Sequence, residues 1–325
     1  MKKEEDLLTM YRVANYYYNS NLSQSEIAAL EGTSRPQISH LLAQAKKRGI
    51  VEIHVRMPEA ASLEELAEKV RVRLGLQRVF LSDTRLTGPS ASQGDALLRD
   101  VTTYAASLLP ELLKDSRIIG IGRGKTIYNT SLYLPYTELE GPRVFVPLVG
   151  NAGNHFGSLQ TSTIVNRFAT QFCADGFYIN SASILAARTT AFQDAELNQL
   201  TSYWDEMDAA VLSVGNAAES MKQYNDEDIP LEFISREAIR QARGEIFGQP
   251  YSLAGELDWF QNKVNRYRYI GLPLEKLRKV DNVICVACAA PKIEPLIAAA
   301  KLGYFKTLIL DRLTAGELLQ FSFAE

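Results

Sequence analysis

The sequence has few of the residues from which disulfide frameworks, metal centres and membrane spans are built. Its 325 residues include three cysteines and three histidines, and its formal net charge is −3. Three cysteines do not suggest a disulfide framework, and scattered histidines form no metal cluster. No apolar run approaches the roughly 20 residues of a membrane helix, and the first ten residues lack the apolar core of a signal peptide. We therefore expect a cytoplasmic protein with no cofactor, no metal and no membrane partner.

Two of the cysteines, Cys285 and Cys288, have the spacing of a redox motif. They lie largely within an apolar stretch that predicts a strand, in which alternation would place the two sulfur atoms on opposite faces. We therefore interpret both cysteines as core residues rather than as a redox pair.

Charge is unevenly distributed along the chain. The overall charge does not indicate a nucleic-acid binder, but the stretch between Ser34 and Arg56 carries a single acid, Glu52, against five bases: Arg35, Lys46, Lys47, Arg48 and Arg56. A phosphate backbone responds to local charge, so this stretch is compatible with nucleic-acid binding.

A first pair of helices is predicted near the start of the chain. The periodicity of apolar residues predicts one helix over Asp6–Tyr18. Ser23 followed by Glu26 has the spacing of a capping box, which predicts a second helix over Gln24–Leu30. The inward face of this short helix is expected to comprise three apolar residues, Ile27, Ala28 and Leu30.

A third helix is predicted over Arg35–Arg48. Gly32 supplies a tight turn before it, Ser34 is its N-cap, and Pro36 falls in the first turn, where a missing N–H is tolerated. Its inward face is expected to bury four apolar residues, Ile38, Leu41, Leu42 and Ala45. A short helix, a glycine turn and a longer polar-faced helix form a helix-turn-helix pattern, and Ile50–Val55 alternates like a small wing strand.

The polar face of the third helix is suited to reading DNA. Hydrogen-bonding side chains in its first turns would reach base edges in a major groove, and its basic last turn would pair with phosphates. The alternative is an ordinary helical hairpin with a solvated polar face. The two caps, the glycine spacing and the basic end favour DNA binding. The candidate DNA-binding residues are Ser23, Gln24, Ser34, Arg35, Gln37, Ser39, His40, Lys46, Lys47 and Arg48.

The remainder of the chain alternates between strand and helix patterns. This alternation predicts an α/β fold, a doubly wound parallel sheet with helices on both sides. We therefore divide the chain into a helix-turn-helix domain at 1–56, a linker at 57–62 and a larger domain at 63–325. Five predicted strands end in polar or glycine-rich loops that would line one crevice for a small molecule: Gly122–Thr126, Gly150–Asn154, Gly215–Asn216, Ala289–Lys292 and Asp311–Arg312.

The stretch Arg117–Leu134 combines an apolar strand, a glycine-rich turn and a helical pattern, an arrangement that presents N–H groups to anions. A Walker phosphate loop ending at Gly124 would need its first glycine at Ile119, and Gly120 is one residue too close. The spacing of the glycines is also one residue short of the dinucleotide fingerprint. The stretch is therefore an anion-binding turn of another kind, or only a tight turn.

Several polar residues of these loops are candidate ligand contacts, and each has a structural alternative. Lys125 and Thr126 suit a phosphate or carboxylate, although Lys125 could be a solvated side chain. Lys292 would face the same crevice, or is a surface lysine. Asn151 would bind sugar hydroxyls or shape its loop, and Asp311 would accept hydroxyl hydrogen bonds or act as the N-terminal acid of the last helix.

Five segments, taken in order, resemble the SorC family of bacterial sugar-responsive transcriptional regulators over nearly the whole chain. The family's DNA-binding module resembles LSQSEIAALEGTSRPQISHLLAQAKKRGIVEI, and its glycine turn resembles GIGRGKTI. Its next strand and loop resemble VFVPLVGN, and its aspartate-strand-glycine segment resembles MDAAVLSVG. Its C-terminal helix-strand-helix block resembles CAAPKIEPLIAAAKLGYFKTLILDRLTAGELL. The shared order and spacing make the match fairly specific.

The resemblance implies a winged-helix-type module joined to an effector domain of the sugar-phosphate isomerase-like fold. It also implies binding of free or phosphorylated sugars, assembly into dimers and tetramers, and control of catabolic operons. Three positions depart from the family pattern. Arg123 stands where the family often has an aromatic residue, Cys288-Ala289 stand where it usually has two glycines, and Arg312 stands where it usually has an acid. The two arginines would favour an anionic effector. The candidate effector-binding residues are Gly122, Arg123, Gly124, Lys125, Thr126, Asn151, Gly215, Lys292 and Asp311.

Two functions fit these observations. The first is a transcriptional regulator, whose partners would be double-stranded operator DNA, a sugar or sugar-phosphate effector and further copies of the chain. The second is a sugar-phosphate isomerase or deaminase that uses the N-terminal helices as an oligomerisation arm. Such an enzyme needs a general acid or base, for which Asp311 and Glu245 are candidates, but no acid–histidine pair stands in a crevice loop. An isomerase has no evident use for the basic helix Arg35–Arg48 in catalysis, so this helix favours the regulator.

Overall fold

A computed structural model of the chain describes residues 2–20, 22–51, 60–83, 93–151, 159–186, 190–218, 235–258 and 267–323. The chain divides into two compact units, residues 1–60 and 61–325, so the division falls within the stretch that the sequence indicates as a linker. Most of the predicted wing, with His54, lies outside the described residues, as does His155. Among the helices in the described ranges, none is long and apolar enough to cross a membrane.

The N-terminal unit consists of helices α1 (Lys2–Tyr18), α2 (Gln24–Leu30) and α3 (Arg35–Lys47). The predicted capping box is confirmed, because Ser23 Oγ accepts from the N–H of Glu26 while Glu26 Oε2 accepts from the N–H of Ser23 at 2.8 Å. Ser34 Oγ likewise accepts from the N–H of Gln37. These contacts satisfy N–H groups that a helix cannot pair internally, and they fix where α2 and α3 begin.

The core of this unit is formed mainly by the predicted apolar faces. Ile27, Ala28, Ile38, Leu42 and Ala45 are buried together with residues of α1. Leu41 is only half-buried, and the prediction for Leu30 is wrong because its side chain is 64% exposed. The buried face of α2 is centred between residues 27 and 28, and Leu30 is rotated from that centre by about 110°.

The second unit is built on a parallel sheet of seven strands, in the order β1-β12-β11-β6-β2-β3-β4. Every pairing in this sheet is parallel, which confirms the predicted fold class. Its strands are β1 (Arg78–Ser82), β2 (Ile118–Ile121), β3 (Val144–Pro147), β4 (Asp175–Gly176), β6 (Ala209–Leu212), β11 (Asn282–Val286) and β12 (Thr307–Asp311).

Helices cover both faces of the sheet, because every strand crossover between parallel neighbours must pass over a face. The helices are α4 (Ala60–Leu74), α5 (Gln93–Leu113), α6 (Lys125–Tyr133), α7 (Thr161–Gln171), α8 (Ala191–Glu206), α9 (Arg236–Gln241), α10 (Leu274–Leu277), α11 (Ile293–Lys301) and α12 (Arg312–Gln320). Helices α4, α8, α11 and α12 bury apolar residues on one face, and α5, α6 and α7 on the other.

Alternation along β11 confirms the interpretation of the two neighbouring cysteines. Val283 and Cys285 belong to one core, whereas Ile284, Val286 and Cys288 belong to the other. Both thiols are free and buried on opposite faces of the sheet. Burial raises the pKa of Cys285 to about 12, as expected for an inert core thiol.

Two small antiparallel sheets were not predicted. Strands β5 (Ile184–Ala186) and β10 (Tyr267–Tyr269) form one of them. Strands β7 (Gly244–Ile246), β8 (Gln249–Ser252) and β9 (Gly255–Glu256) form the other. Strands of two to four residues are too short to show alternation in the sequence.

Gly120 is expected to contribute to close packing of the second unit. A Cβ atom there would lie 2.3 Å from Met207 Sδ and 2.4 Å from Leu148 Cδ2. Gly120→Ala should therefore lower the free energy of unfolding by about 1–3 kcal/mol. Gly316→Ala in α12, where nothing lies within 4 Å of the added Cβ, is the matched control and should stabilise by up to about 1 kcal/mol. Urea unfolding followed by tryptophan fluorescence measures both, and equal stabilities would contradict this account.

Candidate DNA-binding and effector sites

The solvent-facing side of α3 carries the predicted DNA-binding groups. Arg35, Gln37, Ser39 and His40 are exposed along its first turns, and Lys46, Lys47 and Arg48 are exposed at its end. Ser23 and Ser34 are exposed as well, although their hydroxyl groups serve as caps, and Gln24 is half-buried. The face therefore combines polar groups of the kind that reach base edges with bases that suit phosphates.

Gln44 extends this polar face, and it was not among the DNA-binding residues predicted from the sequence. Its side-chain amide lies 2.8 Å from His40 Nε2, one helical turn earlier. The sequence could have indicated this contact, because residues four positions apart lie on the same helix face. The contact gives His40 a fixed neighbour on the surface predicted to read DNA.

The loops predicted to line a crevice follow β2, β3, β6, β11 and β12. Because these strands are parallel, their carboxyl ends lie at one edge of the sheet, which we call the effector edge. The structure describes all of these loops except residues 152–154. The edge therefore brings together candidate residues that are more than 180 positions apart in sequence.

Lys292 lies at the centre of the contacts at this edge. Its Nζ donates to Thr126 Oγ1 and to Ser213 Oγ, both at 2.8 Å. Thr126 is the second residue of α6, Ser213 follows β6, and Lys292 precedes α11. Ser213 was not among the residues predicted from the sequence, although it directly follows β6 and lies two residues before Gly215. Lys292 is thus half-buried at the crevice, and its partners are two hydroxyl groups of the crevice.

The environment of Lys292 disfavours its charged form. Desolvation by burial lowers the pKa of its ammonium group, and the nearby Cys288, Cys285 and Glu245 offset part of that effect. Two hydroxyl acceptors hold the group in place without a full counter-charge. An anion placed beside Lys292 would supply that charge and favour the protonated form.

Lys125 differs from Lys292 in its exposure and in its partner. It is the first residue of α6, and its Nζ lies 3.3 Å from Asp95 Oδ1. The preceding Gly124 adopts φ +126°, which a residue with a side chain rarely adopts, and it supplies no side-chain cap to the helix. The first N–H groups of α6 therefore have no side-chain cap from the N-cap residue, which is compatible with the anion-binding interpretation of this turn.

Gly122 and Gly215 allow close approach of the backbone at the effector edge. A Cβ atom at Gly122 would lie 2.8 Å from the ring of Phe247, and the N–H of Gly122 donates to Val211 O at 2.9 Å. Gly215 forms a bridge with Glu245 through two backbone hydrogen bonds of 2.9 Å. Strand β7 and the turn after it are thereby held against the loops of β2 and β6.

Asn151 and Asp311 have their side chains engaged within the protein. Asn151 Nδ2 donates to Ile179 O, and its Oδ1 accepts from both the N–H and the hydroxyl of Ser162. Asp311 is fully buried, and its two carboxylate oxygens accept from the N–H and the hydroxyl of Thr314. These contacts support the structural alternatives for both residues, namely a shaped loop and the N-terminal acid of the last helix.

The two arginines that depart from the family pattern lie in different surroundings. Arg312 Nη1 lies 3.4 Å from Asp83 Oδ1, so part of its charge is offset by an acid that follows β1. Arg123 is half-buried within the glycine turn. Across the described ranges there is no group of three or more histidine, cysteine or acidic side chains placed to hold a metal ion.

A surface hollow of about 440 Å³ lies at the opposite edge of the sheet, bordered by Arg278, Lys301 and Lys306. The carboxyl-terminal ends of α4 and α11 meet there, at Gly75 and Gly303. Helix carbonyl groups attract cations and repel anions, and Lys306 donates to Val280 O. Lys301, in the last turn of α11, complements that helix end, and the two helix C-termini make the hollow a poor anion site.

Comparisons with known proteins identify relatives of the chain. The model of a sugar-binding domain family, Sugar-bind, matches residues 59–320. The deoxyribonucleoside regulator of Bacillus subtilis (strain 168) is 24% identical over 98% of this chain and 99% of its own length. The sorbitol operon regulator of Klebsiella pneumoniae is 23% identical over 98% of this chain and all of its own. The transcriptional regulator LsrR of Escherichia coli (strain K12) is 27% identical over 95% of this chain and 93% of its own.

Solved structures show the same fold. The crystal structure of the full-length sorbitol operon regulator SorC from Klebsiella pneumoniae has a TM-score of 0.75 at 21% identity, covering 97% of this chain and 99% of that one. A transcriptional regulator from Streptococcus pneumoniae TIGR4 has a TM-score of 0.66 at 19% identity, covering 80% of this chain and 97% of that one.

Replacing Lys292 by methionine is expected to stabilise the unliganded protein. Because its pKa is lowered, the folded state binds fewer protons than the unfolded chain above that pKa, and stability rises with pH up to the ordinary lysine value. Lys292→Met removes the desolvated charge, so the free energy of unfolding near neutral pH should increase by about 1–4 kcal/mol. The gain should shrink as the pH approaches about 10.4.

Urea unfolding between neutral and alkaline pH measures this effect. Lys301→Met, on the exposed end of α11, is the matched control and should give no such gain. A destabilised Lys292→Met variant, or a gain independent of pH, would show that burial of the charge is not costly here.

Proposed function

The chain belongs to the sugar-binding domain family of SorC-type transcriptional regulators, and from that premise we propose that it regulates a carbohydrate catabolic operon. The N-terminal unit binds operator DNA, and the second unit binds a sugar or sugar phosphate. The single observation that supports this proposal best is the basic, polar face of α3 in the same chain as an anion-suited effector edge. The enzyme alternative loses support because the relatives are named as regulators.

The DNA-binding role is supported by the arrangement of charge on α3. Its last turn carries Lys46 and Lys47, followed by Arg48 at the C-cap. Bases of this kind bind phosphates without regard to sequence. Arg35 and Gln37, exposed in the first turn, have the donor and acceptor groups that distinguish guanine and adenine in the major groove.

The effector role is supported by Lys292, Lys125 and the first turn of α6. These groups supply two ammonium ions and several backbone N–H groups at one edge, which suits a phosphate, while Thr126 and Ser213 supply hydroxyls that suit a sugar. An effector regulates DNA binding only if it binds one conformer better than another. A homo-oligomer, a dimer or tetramer in the cytoplasm, would match an operator with two symmetric half-sites.

Substitutions on α3 are expected to separate base reading from phosphate binding. Arg35→Ala or Gln37→Ala should weaken operator binding more than binding to random DNA, by about 1–3 kcal/mol for a residue that reads a base. Lys47→Ala, the comparison variant, should weaken both to the same extent because it contacts phosphates. Fluorescence anisotropy with operator and random duplexes at one salt concentration measures the difference. An equal loss on both duplexes for Arg35→Ala and Gln37→Ala would remove them from base reading.

Lys125→Ala is expected to abolish the response to the effector while leaving operator binding intact. A thermal-shift screen against free and phosphorylated sugars identifies the ligand, because binding raises the melting temperature with ligand concentration. Calorimetric titration of wild type and Lys125→Ala with that ligand then measures the loss. Unchanged titrations would place Lys125 outside the site, and turnover of a sugar phosphate by the purified protein would favour the enzyme.

A further inference from the structure

The two lysines of the effector edge have partners of different charge. Lys292 donates to two neutral hydroxyl groups, on Thr126 and Ser213. Lys125 instead lies 3.3 Å from the carboxylate of Asp95, and the two side chains are 68% and 79% exposed. The carboxylate offsets the charge of Lys125 before any ligand arrives.

Asp95 is held near Lys125 by its own helix. It lies in the first turn of α5, where the helix dipole favours an acid. Helix α5 follows β1 and α6 follows β2, so both helices begin at the effector edge, and they pack against each other. Since Asp95 is placed by α5 rather than by the ion pair, it stays near Lys125 when that lysine binds another anion.

We propose that Asp95 competes with anionic effectors for Lys125 and so sets the charge selectivity of the effector edge, a role that rests on the proposed sugar-effector function. A phosphate that reaches Lys125 must displace the carboxylate and then lie close to a like charge. A neutral sugar has neither to displace the carboxylate nor to lie beside a like charge. Asp95 therefore weakens the binding of phosphorylated ligands and leaves the binding of free sugars unaffected.

The expected effect is modest because the pair is exposed. Ion pairs of this kind change an equilibrium by about two- to five-fold. Asp95→Asn keeps the shape of the side chain and a hydrogen-bonding oxygen in the first turn of α5. It should therefore lower the Kd for phosphate-containing ligands by about two- to five-fold and raise the sensitivity of that Kd to salt, because the attraction of Lys125 is no longer partly cancelled by a carboxylate.

The test is calorimetric titration of the full chain with inorganic phosphate, ribose 5-phosphate and ribose. The proteins compared are wild type, Asp95→Asn, Lys125→Met and the double variant. Glu111→Gln is the matched control, since Glu111 forms an exposed pair of 2.7 Å with Lys114 at the other end of the same helix. Asp95→Asn should tighten phosphate binding, the control should not, and the gain should disappear in the Lys125→Met background.

Three results would overturn this role for Asp95. They are equal affinities of wild type and Asp95→Asn for phosphate, an undiminished gain without Lys125, and no phosphate binding by either protein. The proposed regulatory function would fail on a different result. The affinity for operator DNA would then stay the same with every free or phosphorylated sugar that is added. Both measurements use the same proteins, so failure of the role of Asp95 can be told apart from failure of the regulatory function.

Discussion

The hydrogen bonds of Lys292 connect the parts of the effector edge. Strand β6 lies between β2 and β11 in the sheet, and a single ammonium group joins the segments that follow all three strands. This contact is costly, because burial lowers the pKa of the lysine and two hydroxyl groups do not neutralise its charge. Burial of apolar residues on both faces of the sheet stabilises the fold and offsets this cost. A half-buried, incompletely compensated cation is more characteristic of a ligand site than of a structural contact.

The parallel sheet explains why the polar chemistry gathers at this edge. Both faces of the sheet are covered, so the carboxyl and amino ends of its strands are the places where polar groups meet solvent. Helix N-termini converge at the carboxyl ends and helix C-termini at the amino ends. The effector edge therefore offers N–H groups, and the opposite edge offers carbonyl groups that Lys306 and neighbouring bases neutralise. The two edges differ in their preference for anions although both carry lysine and arginine.

The features predicted correctly from sequence are those set by local or periodic signals. The caps at Ser23 and Ser34 depend on residues three positions away, and the parallel sheet follows from alternating strand and helix patterns. Side-chain contacts between residues far apart in sequence leave no local or periodic pattern from which they could be predicted. Lys292 meets Thr126 from 166 positions away, and the pairing of Lys125 with Asp95 depends on how α5 packs against α6. Leu30 was placed wrongly because a seven-residue helix contains too few apolar positions to define the centre of its buried face.

The charge of the effector has consequences beyond its contacts. An anion bound beside Lys292 would stabilise the ammonium form and raise the pKa of that group, so binding would take up protons wherever the free site is partly deprotonated. A neutral sugar would leave the pKa close to its lowered value. Binding of a sugar phosphate is therefore favoured as the pH falls through that range, until its own phosphate protonates, whereas binding of a free sugar is much less dependent on pH. Lys125 contributes differently, because an exposed ammonium attracts an anion mainly at low ionic strength, while the desolvated Lys292 is screened far less by salt.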